Sequence, residues 1–313
     1  MSSLGDLARE SYRNLRHGGP SVILEALARG YLTARPMAGD PVYDDEWDLL
    51  IVLDACRTDL WADVATDRER FGPAETRTSV GGTSTEWLSE TTDHATADQL
   101  RATAYVTGNP YSAEYVDARE FALVDEVWRY AWDDAAGTIP ARPITDRAIR
   151  AAREEGDRFD RQIVHYMQPH FPCVPDVADT DAGDEGIALD RFGEEPISVW
   201  EELRFGQRDP EDVWRAYRAN LDYVLDEVAL LLDNVDAERV AVTADHGNAV
   251  GEYWLYGHVG GVAHPAIREV PWYETSASDE ATHEPATYET AGSRVENDAA
   301  VEERLEALGY AEE

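Results

Sequence analysis

The chain has 313 residues, enough for one large α/β domain or two small ones. Hydrophobic residues make up 43%, which supports a sizeable core and excludes wholesale disorder. Its 27 basic residues, every one an Arg, face 64 acidic ones for a net charge of −37, which argues against nucleic acid as a main partner. An acidic surface free of Lys is expected of a protein from an extreme halophile, a salt-accumulating archaeon. In about 1 M salt the Debye length falls to about 3 Å and self-repulsion is screened. Two cysteines, Cys56 and Cys173, make neither a disulfide framework nor a Cys-rich zinc site. No apolar run approaches the roughly 20 residues of a transmembrane helix. The N-terminal stretch lacks the apolar region of a signal peptide, so a cytoplasmic location is expected.

In chain order, residues 4–33 carry an amphipathic helical pattern. It allows peripheral contact with a membrane or a partner, with packing on the core as the plainer role. The stretch WDLLIVLDACRTDLW (47–61) opens the ordered core. Its apolar run Leu49 to Leu53 reads as a strand covered on both faces. ATAYVTGN (102–109) predicts a second strand and FALVDEVWRYAW (121–132) a third strand or strand edge. Residues 145–156 predict a helix capped by Thr145 or Asp146 and closed by Gly156. RQIVHYMQPHFP (161–172) predicts a strand ending at Pro169, and 209–235 a long amphipathic helix feeding ERVAVTADHG. Strands alternating with helices imply βαβ units: an α/β fold with a mainly parallel central sheet and helices on both faces. Residues 175–196 and 274–300 are acidic and poor in large apolar residues, and read as mobile surface loops. The expected organisation is an N-terminal helical extension (1–45), a catalytic core (46–275), and an acidic loop with a closing helix packed on the core (276–313).

Polar residues sit where the strands stop. Asp54 ends the first, His170 follows the strand at 161–168, and Asp245 with His246 ends a later one. Ligands of open parallel sheets bind outside the carboxyl ends of strands. Asp, His and Asp there form a plausible set for one divalent cation. Each residue also has an ordinary reading: Asp54 as a helix cap, His170 as a loop His, Asp245 as a turn residue. His165 reads as a residue of the sheet. TSVGGTSTEWLSE (78–90) holds Thr83-Ser84-Thr85-Glu86, the pattern of a capping box. A hydroxyl at that helix start, behind two glycines, is also placed to meet an anion. A metal would turn it into a nucleophile. Thr83 is the first choice, with Ser84 and Thr85 next in line.

Four segments, in this order, resemble the alkaline phosphatase superfamily, and most its sulfatase-like branch that includes lipoteichoic acid synthases. LLIVLDACRTD resembles the opening strand with its metal-binding Asp. GGTSTEW resembles the segment in which a Thr followed by Ser attacks phosphorus, and HYMQPHFP a strand ending in a substrate-binding His before Pro. TADHGNAVGEYWLYGHVGG with REVPW resembles the Asp-His-Gly metal motif, the later Gly-His and the Arg-Val-Pro strand. TADHGNA also resembles cofactor-independent phosphoglycerate mutases. The resemblance spans about residues 45–275 and implies Asp54, Thr83, Asp245 and His246 as ligands of one divalent ion (Mn, Zn, Mg or Ca). It further implies Thr83 as nucleophile and His170, His258 and Arg57 as contacts for an anionic substrate. Arg57 has the alternative of pairing with Asp54 or Asp59, and His264 reads as a loop His. Neither cysteine fits the formylglycine motif of true sulfatases, and Ala55 stands where sulfatases carry a second Asp, so the set is closer to that of a one-metal site, with a second metal left open. The implied activity is metal-dependent hydrolysis or transfer of a phosphate ester, small or borne on a glycan or lipid. The alternatives are a sulfatase-fold protein that only binds partners, a sulfate-ester hydrolase, and a phosphosugar mutase.

Overall fold

Five consecutive apolar residues, Leu49–Leu53, form strand β1, and each is at most 2% exposed. Side chains of a strand alternate between faces. Burial of all five therefore means that both faces of the sheet are covered, as the apolar run predicts. The computed structural model describes residues 21–35, 37–174, 190–192 and 195–288. Around β1 run β2 (Glu75–Thr78), β3 (Thr103–Thr107), β4 (Leu123–Glu126), β5 (Arg161–Tyr166), β6 (Ala237–Thr243) and β7 (Glu269–Ala277). They form one seven-stranded sheet in the order β2-β7-β6-β1-β5-β3-β4. The pairs β6/β1, β1/β5, β5/β3 and β3/β4 are parallel; β7 runs antiparallel to both β6 and β2. Val52 lies beside His165 on one side and Thr243 on the other, so the carboxyl ends of β1, β5 and β6 come out together.

The helices that matter for the site are α1 (Ser21–Thr33), α2 (Thr58–Val64), α3 (Ser84–His94), α4 (Ala141–Glu155), α5 (Pro210–Leu232) and α6 (Pro265–Arg268). In α5 the apolar stripe Val213, Tyr217, Leu221, Val224, Val228 and Leu231 is buried at helical spacing. Asp209 caps its start through Glu211 N, ahead of a Pro at the first turn. None of the described helices is long and apolar enough to cross a membrane.

Several boundaries differ from the sequence reading. α4 starts at Ala141 after Pro140, one turn earlier than predicted, because Pro fits the first helical turn. Thr145 and Asp146 are thus interior and buried, not caps: Thr145 Oγ1 meets the Tyr166 hydroxyl at 2.9 Å. Residues 121–132 give only the four-residue β4 and then a single helical turn, Trp128–Ala131. The segment at 274–288 is no loose loop. β7 extends to Ala277, and the stretch behind it is fastened. Arg153 pairs with Asp279 at 2.6 Å, Asn234 holds Thr282, and Asp146 accepts hydrogen bonds from His283 at 2.6 Å and Tyr288 at 3.0 Å. Polar side chains hold it, which its lack of apolar residues conceals. Residues 1–20, the closing helix near 301–310 and most of 175–196 lie outside the described residues.

Candidate metal centre at the strand ends

Asp54 follows β1 directly, Asp245 lies just beyond β6, and His165 sits near the end of β5. All three are fully buried, and one donor atom from each lies within 4.8 Å of the others. His165 Nε2 is 3.7 Å from Asp245 Oδ2 and 4.0 Å from Asp54 Oδ2. His246, also fully buried, brings its Nε2 to 3.6 Å from Asp54 Oδ1 and 3.5 Å from Asp245 Oδ2. These separations are too long for hydrogen bonds. They suit neighbours in one coordination shell: at metal–ligand distances of about 2.0–2.2 Å, tetrahedral ligand atoms lie about 3.4 Å apart.

Two buried atoms in this cluster, Asp54 Oδ1 and His165 Nε2, have no hydrogen-bond partner among the described residues. Buried polar atoms are normally paired, and an orphan beside two carboxylates asks for a cation. The electrostatics agree. Burial, and then the charge of Asp245, push the Asp54 carboxyl well above its ordinary range. Burial pushes Asp245 up too, but His246, His165 and the Ser84 hydroxyl outweigh it and hold it low. A divalent ion would let both carboxylates ionise. The second nitrogen of each imidazole is already engaged, His246 Nδ1 with Gly247 O at 3.1 Å and His165 Nδ1 with the Tyr105 hydroxyl at 2.9 Å. That outer support is usual behind metal-binding histidines. The residues present therefore fit one divalent cation.

The backbone shapes the pocket. Ala55 takes a left-handed φ of 64°, and its N–H donates to Asp245 Oδ1 at 2.9 Å, so the residue after Asp54 is held in strained backbone. Asn109, just past β3, donates to Asp54 Oδ2 at 2.9 Å. Gly81 lets α3 approach: a Cβ there would stand 2.4 Å from the Trp87 backbone nitrogen.

At the start of α3 the two hydroxyls part. Thr83 is the N-cap, its Oγ1 accepting from Glu86 N at 3.2 Å and touching Thr85 Oγ1 at 2.9 Å. Glu86 turns to the N–H groups of Gly82 and Gly261, so only half of the capping box forms. Ser84, one residue on and fully buried, donates to Asp245 Oδ2 at 2.7 Å. Its Oγ also lies 3.3 Å from Asp54 Oδ2 and 3.3 Å from His246 Nε2. Thr83, chosen from sequence, is thus on the cap, and Ser84 is on the carboxylates.

His170 and His258 stand with His246 in a group of rings, with centroids 4.7 Å (His246–His258), 5.2 Å (His170–His258) and 6.4 Å (His170–His246) apart. Burial and the neighbouring His246 lower His170 to about 3. Burial, His246 and His170 likewise hold His258 well below its ordinary value. Both are neutral near pH 7. Arg57 is committed elsewhere: a two-pronged pair with Asp59 at 2.8 and 2.6 Å, Glu252 at 2.7 Å, and the Asn248 carbonyl at 2.9 Å. Of its two sequence readings the Asp59 pair is the one formed. His264 caps α6 through Ala266 N, an ordinary loop role. The structure also brings Ser84, His165 and Asn109 to the carboxylates, where sequence reasoning had placed Ser84 second to Thr83, read His165 as a sheet residue and not singled out Asn109. Asn109 had the same signal as Asp54, a polar residue just past a strand.

The architecture is the mixed α/β fold, with a mostly parallel central sheet, of alkaline phosphatase- and sulfatase-like proteins. No protein-family model matches the chain, and no curated protein matches it in sequence. Among solved structures it is similar to the integral membrane protein lipooligosaccharide phosphoethanolamine transferase A from Neisseria meningitidis, with a TM-score of 0.50 and 13% identity. That match covers 88% of this chain and 60% of the other. It is similar too to the periplasmic domain of phosphoethanolamine transferase EptC from Campylobacter jejuni (TM-score 0.47, 15% identity, covering 73% of this chain and 78% of that one). A third is an alkaline phosphatase superfamily protein from Vibrio parahaemolyticus (TM-score 0.39, 12% identity, 82% and 69% covered). At such identities the likeness is one of fold.

Proposed function

We propose that this chain is a metal-dependent enzyme that hydrolyses or transfers phosphate esters, with Ser84 as the attacking hydroxyl. One observation carries the reading: Ser84 Oγ, at a helix N-terminus, lies 2.7 Å from Asp245 Oδ2 and 3.3 Å from both Asp54 Oδ2 and His246 Nε2. Asp54, Asp245, His246 and His165 would hold the cation. A mixed carboxylate and imidazole set favours Zn or Mn over Mg and Ca, which prefer all-oxygen shells. When bound, the ion polarises the phosphoryl oxygen and lowers the pKa of the attacking hydroxyl. Thr83, first choice from sequence, becomes the cap that fixes the helix.

The chemistry divides among the chain's own residues. Ser84 attacks phosphorus in line; its Oγ–P bond forms as the bond to the leaving oxygen breaks. Asp245 accepts the Ser84 hydrogen bond and orients Oγ; the Ser84 proton departs with the leaving oxygen, which leaves as an alcohol. The N–H groups at the start of α3 face the phosphoryl oxygens. The neutral imidazoles accept the proton of an incoming water or alcohol. His170 Nδ1 faces the Phe171 carbonyl, which can only accept, so Nδ1 carries the proton and Nε2 is the basic nitrogen. As the second attack proceeds, that proton returns to Ser84 Oγ and the P–Oγ bond breaks. The substrate is an anionic phosphate ester; the transferase of similar fold makes a phosphodiester headgroup a natural first choice. The −37 charge without Lys supports work in concentrated salt. Sulfate-ester hydrolysis is the weaker reading, since both cysteines are buried and neither lies in a formylglycine motif.

The test is an activity screen in 2 M KCl with p-nitrophenyl phosphate, bis(p-nitrophenyl) phosphate and p-nitrophenyl sulfate. Turnover of a phosphate ester, abolished by chelation and restored by Zn or Mn, is expected. No turnover of any ester would favour a protein that only binds partners.

A further inference from the structure

Among the described residues, the exposed large apolar side chains gather on one part of the surface. On α1 they are Ile23 (58% exposed), Leu24 (40%), Leu27 (65%) and Tyr31 (57%), a stripe along the helix. The others are Tyr253 (57%) and Trp254 (43%), in a turn that packs against α1. Both of those residues hold left-handed backbone, φ 52° and 59°, strain accepted where the rings stand outward. Leu32 anchors α1 into a small core with Ala249, Leu255, Val262 and Ile267, built on the loops that follow Asp245 and His246.

Charge singles out the same region. Between residues 21 and 39 the charged side chains are Arg29, Arg35 and Glu25, two basic against one acidic, whereas residues 40–313 hold 22 basic against 61 acidic. The one carboxylate of α1, Glu25, is buried between Arg29 at 2.8 Å and Arg204 at 2.9 Å. Arg35, at the end of the helix, lies over the Tyr31 ring at 5.1 Å. Aliphatic side chains flanked by Tyr, Trp and Arg match the interfacial zone of a bilayer, where amphipathic rings and guanidinium groups sit at headgroup level. Elsewhere the acidic surface repels anionic headgroups.

We infer that α1 and the Tyr253–Trp254 turn form a docking surface for a phospholipid bilayer. In concentrated salt, where charge is screened, apolar burial supplies the binding. The inference does not depend on the reaction proposed above.

Sedimentation with sucrose-loaded vesicles of phosphatidylglycerol and phosphatidylcholine in 2 M KCl tests it. The native chain is expected in the vesicle pellet. The pair Leu27→Glu with Trp254→Glu should bind at least tenfold more weakly with an unchanged circular dichroism spectrum, and Leu27→Ile with Trp254→Phe should bind as the native chain does. A native chain left in the supernatant, or equal binding by the Glu pair, overturns the inference. So does a dimer, seen by sedimentation velocity and dissolved by the Glu pair, without vesicle binding; the face then belongs to a second copy.

Discussion

Replacing Ser84 and Thr83 separately by Ala distinguishes two hydroxyls one residue apart. Thr83→Ala removes an N-cap, which costs about 0.5–2 kcal/mol of stability. Ser84→Ala removes a hydrogen bond of 2.7 Å to a buried carboxylate, worth about 1.5–3 kcal/mol. For a domain of this size each kcal/mol shifts Tm by about 2–4 °C, so the two variants should melt within several degrees of each other. Their rates should not be similar. Ser84→Ala should lose at least about a thousandfold in kcat/KM, equivalent to about 4 kcal/mol of barrier, and Thr83→Ala no more than about tenfold. Initial rates on the phosphate ester turned over best, with Tm measured in the same 2 M KCl buffer, give both quantities. An inactive Thr83→Ala beside an active Ser84→Ala would refute the assignment and restore Thr83 as nucleophile.

Asp245→Ala should reduce bound metal from about one ion per chain to near none by elemental analysis, and Tyr105→Phe, which loses the support of His165 Nδ1, should weaken metal binding about 10–100-fold in a chelator competition. Circular dichroism should record unfolding as KCl falls from molar to about 0.1 M, where the Debye length reaches about 10 Å and the −37 charge repels itself. Burial raises the Cys173 thiol from 9.0 to about 12. A raised pKa favours the folded state while the thiol is neutral, so this contribution is complete below about pH 9 and lost as pH rises towards about 12. Urea titrations across that range should show stability falling less steeply in Cys173→Ala.

The sheet was legible because its central strands are unbroken apolar runs: Leu49–Leu53, too short for a buried helix and followed by a polar turn, reads as a strand buried on both faces. Asp54 and Asp245 were legible for the same reason, as polar residues directly behind such runs. His165 was not, since its role depends on lying beside Val52 in register, and register between strands 113 residues apart is not written in either strand. The choice between Thr83 and Ser84 turns on helix phase. A cap and the first helical residue point in different directions, and the close approach of Gly81 to the Trp87 backbone and of Gly82 to Val259 and Ile267 is a matter of packing. Arg57 looked like an anion contact because Glu252, the partner that claims it, lies 195 residues along the chain. The fastening of 278–288 escaped notice because its hold is Asp146, a charged residue that the sequence placed at a helix cap and the fold buries.

Rapid-quench mass spectrometry of the native enzyme, caught during turnover with its divalent ion, tests the central claim most directly. The peptide between Arg77 and Arg101 contains Thr83 and Ser84, and fragmentation separates them. Phosphate on Ser84, absent when the ion is chelated, is the predicted result. Phosphate on Thr83, or steady turnover with no phosphate on either hydroxyl, would contradict it.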